Sequence, residues 1–109
     1  MLHKMKLKES PFERIKDGSK TVEFRLYDEK RKNIKIGDQI EFSKLPELEE
    51  KILVDVLDLY RDESFENLFR KLIDDEEEIK RKTESMRQFY SSEEEKEYGV
   101  VGIKIKLKK

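Results

Sequence analysis

Residues 18–27, GSKTVEFRLY, set a lysine, a threonine, a glutamate, an arginine and a tyrosine at positions 20, 21, 23, 25 and 27. From Thr21 the polar residues alternate with Val22, Phe24 and Leu26, the two-residue period of a strand with one apolar and one polar face. Arginine offers planar, bidentate hydrogen bonding to a phosphate or a base edge, and glutamate accepts from an exocyclic amine or a hydroxyl. Lys20, Glu23 and Arg25 together have the chemistry to read a nucleotide. The plainer alternative is a wet strand face on which Glu23 and Arg25 form an exposed ion pair of little energetic weight. Strict alternation also places Lys20 on the Val22 side, so it joins the row only if the preceding turn carries it around.

Other chemistries are narrowed by what the chain lacks. It has no cysteine and a single histidine, His3. Disulfides, thiolate zinc sites and cysteine nucleophiles are thereby excluded, His-rich metal sites and Ser-His-Asp chemistry within one chain are disfavoured, and neither a metal site nor a cofactor is expected. Catalysis would have to run on Lys, Glu, Asp, Thr, Ser, Tyr or Arg, or on a metal held by oxygens.

The elements that position the row follow from periodicity. His3, Met5 and Leu7 alternate with Lys4, Lys6 and Lys8, a half-buried strand with a lysine-lined outer face. Ser10 as N-cap, Pro11 at the first helical position and Glu13 as capping-box partner predict a short helix over residues 11–17 that buries Phe12 and Ile15. Gly18 stands where such a helix needs a left-handed terminating residue. After the strand from Thr21, the charged DEKRKN segment reads as a turn or a single helical turn. Gly37-Asp38 is a turn signal ahead of the alternating Ile40 and Phe42. KILVDVLDLY, the most apolar stretch, is the expected central strand, with apolar residues on both faces. From Ser64 the period becomes helical through Phe65, Leu68, Phe69 and Leu72. A second helix is expected over residues 79–90 with Met86, Phe89 and Tyr90 on its apolar side, and DDEEE before it reads as an acidic helix start or a loop. Ser92 with Glu95 reads as a further capping box, closed by Gly99. The last strand sets Val101, Ile103, Ile105 and Leu107 against Lys104, Lys106 and Lys108.

At 109 residues, with no repeat and no linker, one domain spanning 1–109 is expected. Its fold class is α+β: about five to six short strands in a strongly bent or closed sheet, a small β-barrel, with helices at the openings. No apolar run is long enough to cross a bilayer and no leader pattern opens the chain, which reads as a cytoplasmic protein with no membrane partner. Lysine and glutamate number 18 each against two asparagines and two glutamines, a balance found in proteins of hyperthermophiles. The formal charge of −1 hides a gradient. Counting Lys+Arg against Asp+Glu gives 12 to 8 for residues 1–44, 9 to 18 for 45–98 and 4 to 0 for 99–109. Basic ends could assemble one basic face; equally, the lysines of the terminal strands could protect sheet edges from pairing with other chains.

Gly18-x-Lys20-x-x-Glu23-x-Arg25, followed by Lys35-x-Gly37-Asp38-x-Ile40-x-Phe42, resembles the ASCH domain family, RNA-associated relatives of the PUA domain. The resemblance extends through Tyr60, the SFENLF helix and the closing RQFYSSEEEKEYGVVGIKI, and covers nearly the whole chain. It implies a PUA-like barrel and a cleft beside the Gly-x-Lys segment for RNA or a nucleotide. One group within the family hydrolyses N4-acetylcytidine with a lysine at the position of Lys20 and a threonine three residues later. That threonine position is Glu23 here.

A lysine acting as a base must lose its proton, which burial or a neighbouring cation favours and a neighbouring carboxylate opposes. The residues therefore point first to an RNA- or nucleotide-binding module. Lys20, Thr21, Glu23 and Arg25 would contact phosphate or base, and Tyr27 or Tyr60 would stack. The alternatives are an amidohydrolase acting on a modified nucleoside, with Lys20 and Glu23 central, and a ribonuclease using the same cleft. A protein-interaction role for the acidic residues 74–97 ranks below these.

Overall fold

A computed structural model describes residues 1–108. Ten elements follow one another: β1 (Leu2–Leu7), α1 (Glu9–Lys16), β2 (Val22–Leu26), α2 (Glu29–Lys32), β3 (Gln39–Lys44), β4 (Lys51–Asp62), α3 (Phe65–Leu72), α4 (Glu76–Met86), α5 (Ser92–Tyr98) and β5 (Val100–Leu107). The fold is α+β. The five strands form one sheet in the order β1-β3-β4-β5-β2, with the apolar β4 at its centre as its composition predicts. β1 lies parallel to β3, Leu2 opposite Gln39 and Met5 opposite Phe42, and β3 runs antiparallel to β4.

The closed barrel is not formed. β1 and β2 end the hydrogen-bonded order, so the sheet stays open at two short strands of six and five residues. Five strands are few for a circuit, and small five-stranded barrels are commonly left partly open.

The chain gathers into two compact units. The first comprises Met1–Glu23, Ile34–Leu59 and the chain from Ile103. Its core is the inner face of the sheet: Met5, Leu7, Ile40, Phe42, Val54, Val56, Ile103 and Ile105, joined by Phe12 and Ile15 of α1, are all buried. α1 begins two residues earlier than its composition suggests. Lys8, in extended conformation, is its N-cap without a side-chain cap, and the Phe12 amide bonds the Lys8 carbonyl at 3.1 Å. The helix starts directly off β1, which draws Ser10 into the first turn and leaves it no capping role. Gly18 ends the turn after α1 at φ +88°, a conformation that costs a glycine little.

The second unit comprises Phe24–Asn33 and Tyr60–Gly102. Leu26, Phe65, Leu68, Phe69, Ile79 and Val100 form its core, with Phe24, Tyr60, Ile73, Met86 and Tyr90 packed on them. Phe24 meets Phe69 edge to face at 4.9 Å between ring centroids, and Phe65 stacks on Tyr90. The Ser64 hydroxyl caps α3 by accepting from the Asn67 amide, as expected. DDEEE is an acidic helix start: Asp75 caps α4, and Glu76, Glu77 and Glu78 fill the first turn, where the helix dipole favours carboxylates. α4 runs from Glu76 to Met86 instead of over 79–90, because backbone bonds from Gln88 to Ser85 and from Phe89 to Met86 tighten the chain into turns. Phe89 is left 55% exposed. The last capping box is one residue earlier than the sequence suggests, Ser91 with Glu94, and Gly99 closes α5 at φ +73°.

Candidate functional site

The segment entering β2 is fixed by its backbone before any side chain is considered. The Lys20 amide donates to the Arg14 carbonyl at 3.0 Å, which folds the chain back on α1. The Thr21 carbonyl accepts from Ile105 at 2.9 Å, which docks it on β5. β2 begins only at Val22, so Lys20 precedes the strand and escapes its alternation.

Lys20 Nζ consequently reaches Glu23 Oε1 at 3.1 Å. Their side chains are only 16% and 6% exposed. The expected wet row is thus not wet at its centre: Glu23 is one of two buried polar residues among the described residues, the other being Thr83. An ion pair this far from water differs in kind from a surface pair, since both charges have lost most of their hydration and depend on each other and on their hydrogen bonds. Thr21 is exposed, facing solvent beside the pair.

The remaining residues of the row belong to the second unit. Arg25 and Tyr27 are half-buried. The Tyr27 amide bonds the Gly99 carbonyl at 2.9 Å. The Arg61 guanidinium lies over the Tyr27 ring at 3.9 Å from its centroid, a cation–π contact. Tyr60 packs against the hydrophobic core of the unit instead of standing free.

Arg61 is a candidate that sequence reasoning missed. It is exposed, it covers Tyr27, and it borders a cleft of about 620 Å³ with Asp62, Lys71, Glu95, Lys96 and Gly99. The only signal in the sequence was an arginine at the end of the longest strand, which no periodicity marks as special. In this cleft Lys71 Nζ stands 2.7 Å from Asp62 Oδ2, and that hydrogen bond holds the Asp62 carboxyl below the usual carboxylate range. A second cleft, of about 420 Å³, lies between α3 and α4. Neither cleft is lined by Lys20 or Glu23. Among the described residues no three His, Asp or Glu side chains gather as a metal-binding group, and no helix is long and apolar enough to cross a membrane.

Residues 5–109 match the ASCH domain. The chain belongs to the ASCH domain family. Two solved structures share 37% of its sequence over almost the whole of both chains. The hypothetical protein PH0355 has a TM-score of 0.85, with 99% of this chain and 100% of that one covered. PF0455 from Pyrococcus furiosus has a TM-score of 0.73, with 98% and 97% covered. The S128A mutant of ZmASCH from Zymomonas mobilis is 13% identical, has a TM-score of 0.63 and covers 99% of this chain against 68% of its own; it is similar in fold alone. No curated protein matches the chain. Membership supports the PUA-like reading of this ASCH domain and the general association of the family with RNA.

Proposed function

We propose that this ASCH domain binds RNA or a modified nucleoside through residues 20–27. Lys20 and Arg25 meet phosphate or a base edge, and Glu23 accepts from an exocyclic amine. The observation that carries the reading is the Lys20–Glu23 pair, held out of water at 3.1 Å on the approach to β2. A shielded pair of opposite charges contributes little to stability compared with apolar residues of the same volume, so its presence favours a use for the charges themselves. Held in place before a ligand arrives, the pair offers a donor and an acceptor at low ordering cost. Tyr27 contributes in a different way from the one its sequence suggests. With Arg61 over its ring, the surface offered to a base is a guanidinium plane backed by an aromatic, and bases stack on such planes in RNA complexes.

The lysine engaged by Glu23 suits binding better than proton abstraction, which places hydrolysis of a modified nucleoside second. Fluorescence anisotropy with a short single-stranded RNA tests the first reading. Binding that weakens steeply with salt, and weakens further in Arg25→Gln and Lys20→Ala, is expected. No binding at low salt refutes it. Release of cytidine from N4-acetylcytidine, lost in Lys20→Ala, would establish the second reading in its place.

A further inference from the structure

The lysines of the two terminal strands admit two explanations, edge protection and anion binding, and the sheet separates them. Edge protection requires an edge. β1 is one, but β5 is not: in the first unit the Lys108 amide bonds the Leu53 carbonyl of β4 at 2.9 Å on one side of that strand, and the Ile105 amide bonds the Thr21 carbonyl at 2.9 Å on the other. Lys104, Lys106 and Lys108 therefore guard no open edge.

Their placement follows from the pleat. On β1, β3, β4 and β5 the buried residues Met5, Ile40, Phe42, Val54, Ile103 and Ile105 face the core that α1 joins, so the intervening residues face the other way. The register sets Lys4 beside Glu41 and Lys6 beside Ser43, then Glu41 beside Leu53 and Ser43 beside Lys51. Lys108 lies on the same face, its Nζ 3.8 Å from Asp55 Oδ1. The outer face of the first unit's sheet thus carries six lysines (4, 6, 51, 104, 106 and 108) and two carboxylates, Glu41 and Asp55. Lys51 stands 3.8 Å from Glu41 and Lys108 3.8 Å from Asp55, and lysines outnumber carboxylates on this face six to two. All six lysines are exposed.

We propose that this face is a contact surface for the phosphate backbone of a nucleic-acid strand. The proposal rests on the RNA-binding reading and gives that reading a second, sequence-independent surface. Four strands at about 4.8 Å make a platform about 15 Å across, on which lysines two residues apart along β1 or β5 stand about 7 Å from each other. No aromatic residue lies among them, so the face offers charge without base stacking, and positioning without sequence readout. The same lack removes the aromatic anchors with which basic surfaces commonly settle into a lipid headgroup layer.

The test is the salt dependence of binding to a mixed-sequence single-stranded RNA by wild type, Lys20→Ala and the exposed double variant Lys104→Gln/Lys106→Gln. Loss of two phosphate contacts is expected to make the slope of log K against log salt shallower by about 1.4, at about 0.7 per contact on a single strand. Wild-type binding that Lys20→Ala weakens, with the double variant's slope unchanged, overturns this proposal and leaves the first reading standing. No wild-type binding overturns both. A double variant that keeps its RNA slope but loses binding to phosphatidylserine vesicles overturns it in favour of a membrane surface.

Discussion

Removing either member of the Lys20–Glu23 pair takes an opposite charge from a poorly hydrated site, and the size of that effect can be worked from the geometry. At 3.1 Å, with an effective dielectric of about 20, the attraction between the charges is about 5 kcal/mol. Desolvation of the two ions, several kcal/mol each, offsets most of it, so the intact pair is close to neutral for folding. The single variants are not neutral. Lys20→Met takes a cation from beside buried Glu23, and Glu23→Gln takes the counter-charge 3.1 Å from Lys20. Each is expected to cost about 3 kcal/mol, at the low end for a broken buried pair because Lys20 keeps some solvent contact. The double variant should cost less than the sum, with a coupling energy of about 2 kcal/mol. Urea denaturation of the four proteins at pH 7 measures the cycle, and for a domain of this size each single variant should melt more than about 12 °C below wild type. The coupling should survive an increase in salt to about 1 M, since water and ions are largely excluded from the pair. Single-variant costs below about 0.5 kcal/mol that simply add would show the charges to be hydrated, and the argument for a prepared binding pair would fall with them.

The carboxyl of Asp38 is held down to about 2, first by its hydrogen bond with His3 and then by the Lys35 amide and the N-terminus. A depressed carboxylate adds stability above its unfolded value near 4, and that stability is lost as pH falls towards 2. Asp38→Asn should therefore flatten the acid limb of a stability–pH curve between about pH 4 and 2, and an unchanged limb would contradict the assignment. Gly99 combines φ +73° and ψ −175° with only 3.2 Å between a Cβ placed there and the Asp62 carbonyl. Gly99→Ala should cost about 1–3 kcal/mol by thermal melting, whereas Gly18→Ala, with open space around the Cβ, meets only the backbone strain. Ser91→Ala removes the reciprocal capping box of α5 and should cost about 1 kcal/mol in the same assay, while Ser92→Ala should cost less.

Much of the architecture was legible because period and composition are local properties. The alternation of β1, the apolar run of β4, the stripe of α3 and the terminating glycines at 18 and 99 each reflect one segment choosing a face or a backbone angle, and all four stand where the sequence puts them. Helix ends were less legible. At Ser10 a suitable residue was available for a cap, but the preceding strand ran straight into the helix and moved the start. At Ser91 and Ser92 two adjacent serines, each followed three residues later by a glutamate, offered the same motif in two registers.

The sequence by itself determined which residues could carry function: a lysine, a glutamate and an arginine after Gly18, and lysine rows on the first and last strands. Only the tertiary structure decided their environments. Glu23 occupies a polar position of an alternating strand, yet it is buried, because burial depends on what covers a face and not on the pattern along it. Lys20 meets it because the chain bonds Arg14 and Ile105 before β2 begins, and side-chain alternation applies only within a strand. Arg61 reaches Tyr27 across 34 residues of sequence, beyond any local signal. The lysines of β1 and β5 look alike in sequence, but one strand is an edge and the other lies inside the sheet. Strand order is a long-range choice, and it decides that the β5 lysines have no edge to guard.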